Sequence, residues 1–482
     1  MPGCNRRDHR EGHAFLDFLP HCEEGVVLRT RRNFLKASLA GIAGLSLPRL
    51  LEARAEASAA GRPIAGNKSV ILLWMTGGPS HLDTWDPKPD RPAENRGPFG
   101  TIPTRLPGVR ICEHLPKMAA MLDRFTFIRS VNARGSNHEP NTVFQTANVR
   151  AEPRTNPEAR MYPAIGSIIA KHHGANRPGM PPYVAFRRSN SHLAFAGYLG
   201  RQYDPFIGND AARLPVYDLV GRPTGQYAGG EIFGNSVTLS RQRLERRRSL
   251  RDAVDALRRD LDEHPEVAGM RRIEQQAFDL LLGSQARAAF DLTREPESVR
   301  QRYGDHLWCQ QALLCRRLVE AGVAFVMLDL SYHTASGTWD THGDDIPPYG
   351  GITSGLKPLL PLFDHLLTTL VSDLEERGLL DDTLVIAMGE FGRAPRMTSH
   401  DGRDHWTNVM SIALAGGGLR HGQVIGSSTP DGGDIDERPI GPGDIAATIY
   451  QHMGVPLDTH YLNSQGRPIP ILESGEPIRE LF

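Results

Sequence analysis

The sequence predicts an α/β fold, a three-layer α/β/α sandwich around a mostly parallel sheet, on three observations. Ser69 to Met75 (SVILLWM) is an unbroken apolar run, the pattern of a strand buried on both faces, as parallel strands are. Similar runs recur at Phe125 to Ser130, Tyr183 to Phe186, Val323 to Leu330, Leu384 to Met388 and Ser411 to Ala415, with helical patterns between several of them. Strands alternating with helices pack as a sheet between helical layers. With 482 residues, 39% of them hydrophobic, the chain also has ample apolar material for one large core.

From the amino terminus, Thr30-Arg31-Arg32-Asn33-Phe34-Leu35-Lys36 precedes a modest apolar stretch, Ala37 to Leu51, and then Ala55-Glu56-Ala57. This is the layout of a twin-arginine signal peptide with a small-residue cleavage site. Gly41, Gly44 and Pro48 interrupt the apolar part, which is shorter than the ~20 residues a membrane span needs. The expectation is a removed signal region (1–57), a linker (58–67) and one domain (68–482), exported to a bacterial periplasm or secreted. Cleavage leaves Cys112, Cys309 and Cys315, an odd number that cannot all pair, so buried thiols are expected.

The first strand ends in Thr76-Gly77-Gly78-Pro79-Ser80, and His81, Asp83 and Asp86 follow at a strand's carboxyl end, where open α/β sheets place ligands. A largely helical insertion is expected at about 240–320: Leu250, Val254, Leu257 and Leu261 form one apolar stripe, and Arg246-Arg247-Arg248 reads as a solvated helix face. Leu359 to Leu380 reads as a helix ending near Gly378, and Gly443 to Pro456 as a capped helix stopped by glycine and proline. His172-His173 close a helix before Gly174, where the helix dipole explains them. Lys+Arg 55 against Asp+Glu 56 leaves a net charge of -1, so no field draws the chain to nucleic acid or anionic lipid.

Three polar clusters follow predicted strands. Trp339-Asp340-Thr341-His342 places an acid and an imidazole two residues apart, on one side of an extended backbone. Glu390 lies two residues past Met388, and Asp404-His405 follows a loop carrying Arg393 and Arg396. Alone, Asp-x-His is more often a capped loop than a ligand pair; three clusters at the ends of strands of one sheet point to a metal. The mixed imidazole and carboxylate set suits a divalent cation such as Zn²⁺ or Mn²⁺ rather than Ca²⁺. Arg393 and Arg396 either clamp an oxyanion bidentately or pair with neighbouring acids.

The segments "LEERGLLDDTLVIAMGEFGR" and "RPIGPGDIAATIYQHMGVP" resemble those of the alkaline phosphatase and sulfatase superfamily. More closely, "GGPSHLDTWDPKPD", "AGYLGRQYDPF", "WDTHGDD", "GEFGRAPR" and "GRDHW" resemble the domain of unknown function 1501 family, placed in that superfamily. The resemblance spans about Lys68 to Leu472 and implies an alkaline phosphatase-like fold with a first metal held by Asp340, His342 and His405. It implies Glu390 as the carboxylate of a second metal. Two departures favour one metal over two: Phe391 stands where the superfamily usually has His or Asn, and Thr76-Gly77-Gly78 where it has Asp, with Asp83 or His81 as possible substitutes. The superfamily's nucleophile position corresponds to Ser136-Asn137-His138-Glu139-Pro140-Asn141-Thr142, making Ser136, His138 and Thr142 the catalytic candidates. His138 stands where a sulfatase cysteine would, which disfavours a formylglycine enzyme and leaves His138 as an alternative ligand. Ser136 and Asn137 alternatively cap a helix. The resemblance implies an exported metal-dependent hydrolase of small anionic phosphate or sulfate esters; the alternative is a non-catalytic secreted scaffold that keeps the fold.

Overall fold

The computed structural model describes residues 67–138, 142–233, 284–334, 336–343, 350–463 and 465–482. The expected signal region, the stripe from Leu250 to Leu261, Arg246 to Arg248, and Glu139, Pro140 and Asn141 lie outside the described residues. The central sheet contains β1 (Ser69–Trp74), β2 (Phe125–Val131), β3 (Tyr183–Phe186), β4 (Phe206–Ile207), β5 (Phe325–Asp329), β6 (Thr383–Met388), β7 (Met410–Gly416) and β8 (Gln423–Ile425). Their order is β8-β2-β7-β6-β1-β5-β3-β4. β7 runs antiparallel to β6 and β2, and the remaining pairs are parallel.

All six residues of β1 are buried. Ile71 and Leu73 enter one core and Val70, Leu72 and Trp74 the other, so the apolar run feeds both faces of the sheet. Burying each Leu or Ile contributes roughly 2 kcal/mol before entropy is counted. Helices α1 (Ile165–His172) and α4 (Pro442–Met453) pack on one face. Helices α2 (Leu307–Ala321) and α3 (Lys357–Glu376) cover the other, completing the three layers. Cys112, Cys309 and Cys315 are buried free thiols.

Two details depart from the sequence reading. α3 begins at Lys357 and ends at Glu376, earlier than Leu380, because the chain turns at Gly378 in the left-handed region (φ 67°). β4 and β8, of two and three residues, are too short to carry a periodic signal. The reversed direction of β7 matters most for function: its amino end, not its carboxyl end, shares an edge with the carboxyl ends of β1, β2, β5 and β6.

Candidate metal centre

Four loops meet at that edge. The chain leaving β2 carries His138, the chain leaving β5 carries Asp340 and His342, the chain leaving β6 carries Glu390, and the chain entering β7 carries His405. Residues 389–406 form a hairpin in which Gly392 pairs with Trp406 and Arg393 with His405, so the loop's two ends meet. The loop after β5 is fixed by backbone bonds from Trp339 N to Thr76 O (3.0 Å) and from Arg403 N to Thr341 O (2.9 Å). Gly77 and Gly402 make the approach possible: a Cβ on Gly77 would strike the Asp340 backbone, and one on Gly402 the His342 carbonyl.

One ligand atom from each of His138, Asp340, His342 and His405 lies within 4.8 Å of all the others. His405 Nε2 stands 2.7 Å from both His138 Nε2 and His342 Nε2. Asp340 approaches the three rings at 3.5 Å (His138), 3.1 Å (His342) and 3.4 Å (His405). A tetrahedral cation with ligands at 2.0–2.1 Å needs ligand atoms about 3.3 Å apart, a spacing these distances bracket. Three imidazole nitrogens and one carboxylate oxygen are a donor set that fits a borderline divalent cation. Behind them, Glu390 Oε1 meets His138 Nδ1 at 2.7 Å and accepts from Gly77 N–H at 2.8 Å, fixing the tautomer that turns His138 Nε2 toward the cluster. Glu390 Oε2 is buried and makes no hydrogen bond.

The charges around the cluster set the protonation of its ligands. Burial alone would raise the Asp340 carboxyl, but the Arg393 guanidinium and the three imidazoles outweigh it and hold the acid ionised, well below the usual carboxylate range. Burial, Arg393 and His138 push His405 down to about 4, so its lone pair is available at neutral pH. Burial would also lower His138, yet Asp340 and Glu390 win and raise it. Two carboxyl groups, Asp340 and Glu390, and one guanidinium, Arg393, contact this cluster.

A family model described as "Protein of unknown function (DUF1501)" matches residues 67–482. The chain belongs to the DUF1501 family. No curated protein matches it. Among solved structures, this DUF1501 chain is similar to the PsFucS1 sulfatase from Pseudoalteromonas sp., at 12% identity, covering 85% of this chain and 72% of that one, with a TM-score of 0.37. It is also similar to a phosphonate monoester hydrolase from Silicibacter pomeroyi, at 11% identity, covering 86% and 76%, with a TM-score of 0.36. A third is the lipoteichoic acid synthase LtaP from Listeria monocytogenes, at 10% identity, covering 81% and 73%, with a TM-score of 0.34.

The DUF1501 structure separates the candidate residues into those at the centre and those beside it. Asp340, His342 and His405 converge, and His138 joins them as a fourth possible ligand. Glu390 stands behind His138 instead of among the four. Asp404 projects outward with a side chain 73% exposed, 3.7 Å from His342 Nδ1. Asp83 is held away: Arg403 Nε donates to it at 2.7 Å and Ser80 Oγ at 2.5 Å. His81 Nε2 instead meets Gly432 O, at 2.9 Å. Arg393 is fully buried and donates to Asp340 and to the carbonyls of Gly77, Gly78 and Arg403, so it clamps protein groups and offers no free fork to an oxyanion. Arg396 is exposed. Thr142 Oγ1 donates to Ala151 O, turning the hydroxyl away from the nucleophile role. Ser136 Oγ is buried without a hydrogen-bond partner. Phe391 packs its ring 4.6 Å from His138 and 4.9 Å from His405, an apolar wall at the position where the resemblance implies His or Asn.

The sequence reading missed Arg403, which ties Asp83 to the chain leading into His405. The "GRDHW" motif gave a signal, since a guanidinium beside Asp404-His405 needs a partner once buried. It also missed a buried chain in which His192 Nδ1 meets Asp329 Oδ2 at 2.8 Å and Thr76 Oγ1 donates to Asp329 Oδ1 at 2.5 Å. Among the described residues no helix is long and apolar enough to cross a membrane.

Proposed function

We propose that this DUF1501 protein is a metal-dependent hydrolase of small anionic esters, phosphate or sulfate, exported by the twin-arginine route to the periplasm. The observation that carries the reading is the convergence of His138, Asp340, His342 and His405 at the ligand-binding edge of the sheet. Zn²⁺ or Mn²⁺ suits the set, with one ion favoured over two because Phe391 occupies the space beside His138 and His405. A cation held there supplies Lewis acidity that polarises an ester oxygen and lowers the pKa of an attacking hydroxyl or water. The chain's own groups do the rest: Arg393 keeps Asp340 ionised, Glu390 orients His138, and Phe391 packs against the His138 and His405 rings. A screen of aryl phosphates and sulfates across divalent metals tests this. Metal-dependent turnover lost in His405→Ala supports it, and no turnover by protein that does bind metal removes the catalytic reading.

One observation favours a non-catalytic binding protein: Thr142, the candidate hydroxyl at the start of a helix, is committed to Ala151 O. On that reading metal binds and raises the melting temperature, with no ester turned over.

A further inference from the structure

At the edge of the sheet that carries the metal centre lies a cavity of about 950 Å³, large even for a small-molecule site and far larger than one phosphate or sulfate requires. None of the four cluster residues lines it. Thr142, four residues after His138 in the sequence, and the segment from Asn190 to Asp204 that follows β3 form part of its wall, and residues between Pro153 and Tyr162 form the rest. Gln145 locks these walls together, with its Nε2 donating to His192 O at 2.8 Å and its Oε1 accepting from Ala194 N at 2.7 Å. Ser191, on the cavity wall, donates its hydroxyl to Thr334 O at 3.3 Å, on the chain leaving β5 that further along carries Asp340 and His342.

The charge on this wall is one-sided. Arg154, Arg160 and Arg201 line the cavity, against a single acid, Asp204, and the aromatic rings of Tyr162 and Phe195 stand among them. All three arginines are exposed, so their guanidinium groups are hydrated and available. Guanidinium binds carboxylate, sulfate and phosphate bidentately, and aromatic faces accept the apolar side of a sugar or aryl ring.

We propose that this cavity is a substrate subsite that receives a second anionic group, so that the ester hydrolysed at the metal centre belongs to a larger polyanionic molecule of oligosaccharide size. The inference rests on the hydrolase reading for the word substrate, while the cavity's preference for polyanions stands on the arginines alone. The test uses the full chain loaded with zinc and two probes, 4-nitrophenyl sulfate with one anionic group and a disaccharide carrying both a carboxylate and a sulfate. Calorimetry should find the disaccharide bound at least tenfold more tightly. The Arg154→Gln, Arg160→Gln, Arg201→Gln triple variant should lose that advantage and leave the monoanion unchanged, while Arg302→Gln, on the opposite helical layer, should change neither. Equal affinity for the two probes, or a triple variant that binds the disaccharide like wild type, overturns the subsite. If the His405→Ala variant loses metal yet keeps the arginine-dependent disaccharide affinity, the subsite stands whether or not the hydrolase reading does.

Discussion

Replacing Glu390 separates orientation from charge at the metal centre. Glu390 Oε1 accepts from Gly77 N–H at 2.8 Å and meets His138 Nδ1 at 2.7 Å, while Oε2 makes no hydrogen bond. In Glu390→Gln the amide oxygen can take the place of Oε1, so both contacts persist and only the negative charge behind the imidazole goes. In Glu390→Ala the ring also loses the contact that fixes its tautomer. Groups that hold a metal-bound histidine are worth 10–100-fold in metal affinity, about 1.4–2.8 kcal/mol. Glu390→Gln should therefore weaken zinc binding roughly tenfold and Glu390→Ala roughly a hundredfold. Competition against a chromogenic chelator at neutral pH measures both. Urea unfolding of the metal-free variants, run in parallel, reads the separate cost of placing an amide N–H₂ where Oε2 has no partner, about 1–3 kcal/mol. Zinc affinities of both variants equal to wild type would refute the claim that Glu390 positions a ligand.

Three further outcomes follow from the same geometry. Arg403→Met should destabilise the protein by about 3–5 kcal/mol, because the Asp83 side chain is fully buried and loses its cation; chemical denaturation checks this, and a change below 1 kcal/mol would show Asp83 otherwise satisfied. His452, pushed down to about 4 by burial and with Nε2 3.0 Å from Ser69 O, should make stability depend on pH. The unfolded chain, with an ordinary value of 6.5, binds the proton more readily, so this contribution is complete above pH 6.5 and falls toward pH 4, by about 2 kcal/mol at pH 5; His452→Gln should flatten that part of the profile. Gly402→Ala should impair zinc uptake at least tenfold, because a Cβ there forces the His342 and His405 chains apart; unchanged uptake, measured as bound metal per chain, would contradict the tight approach.

Much of this was legible in the sequence, for physical reasons that differ by residue. β1 was visible because burial on both faces demands an unbroken apolar run, and α4 because Gly454 and Pro456 end it. Asp340 and His342 were readable because two-residue spacing puts both side chains on one side. The direction of β7 was not: an apolar strand between two parallel neighbours reads alike in either sense, and direction depends on the connection. Glu390 reads as a ligand from its place two residues past a strand, and its contact with His138, 252 residues away, leaves no local signal. His138 read equally as catalyst or ligand, since nothing local reveals which ring it will meet. Asp83 and Arg393 looked available for the same reason, their partners Arg403 and Asp340 lying 320 and 53 residues away.

X-ray absorption spectroscopy on the purified full chain loaded with zinc reads the ligands of the metal centre itself. The geometry of the four residues requires one zinc per chain, with three imidazole nitrogens and at least one oxygen at about 2.0–2.2 Å, and one imidazole fewer in His138→Ala. A folded chain that takes up no divalent metal, or a first shell without histidine, would contradict it.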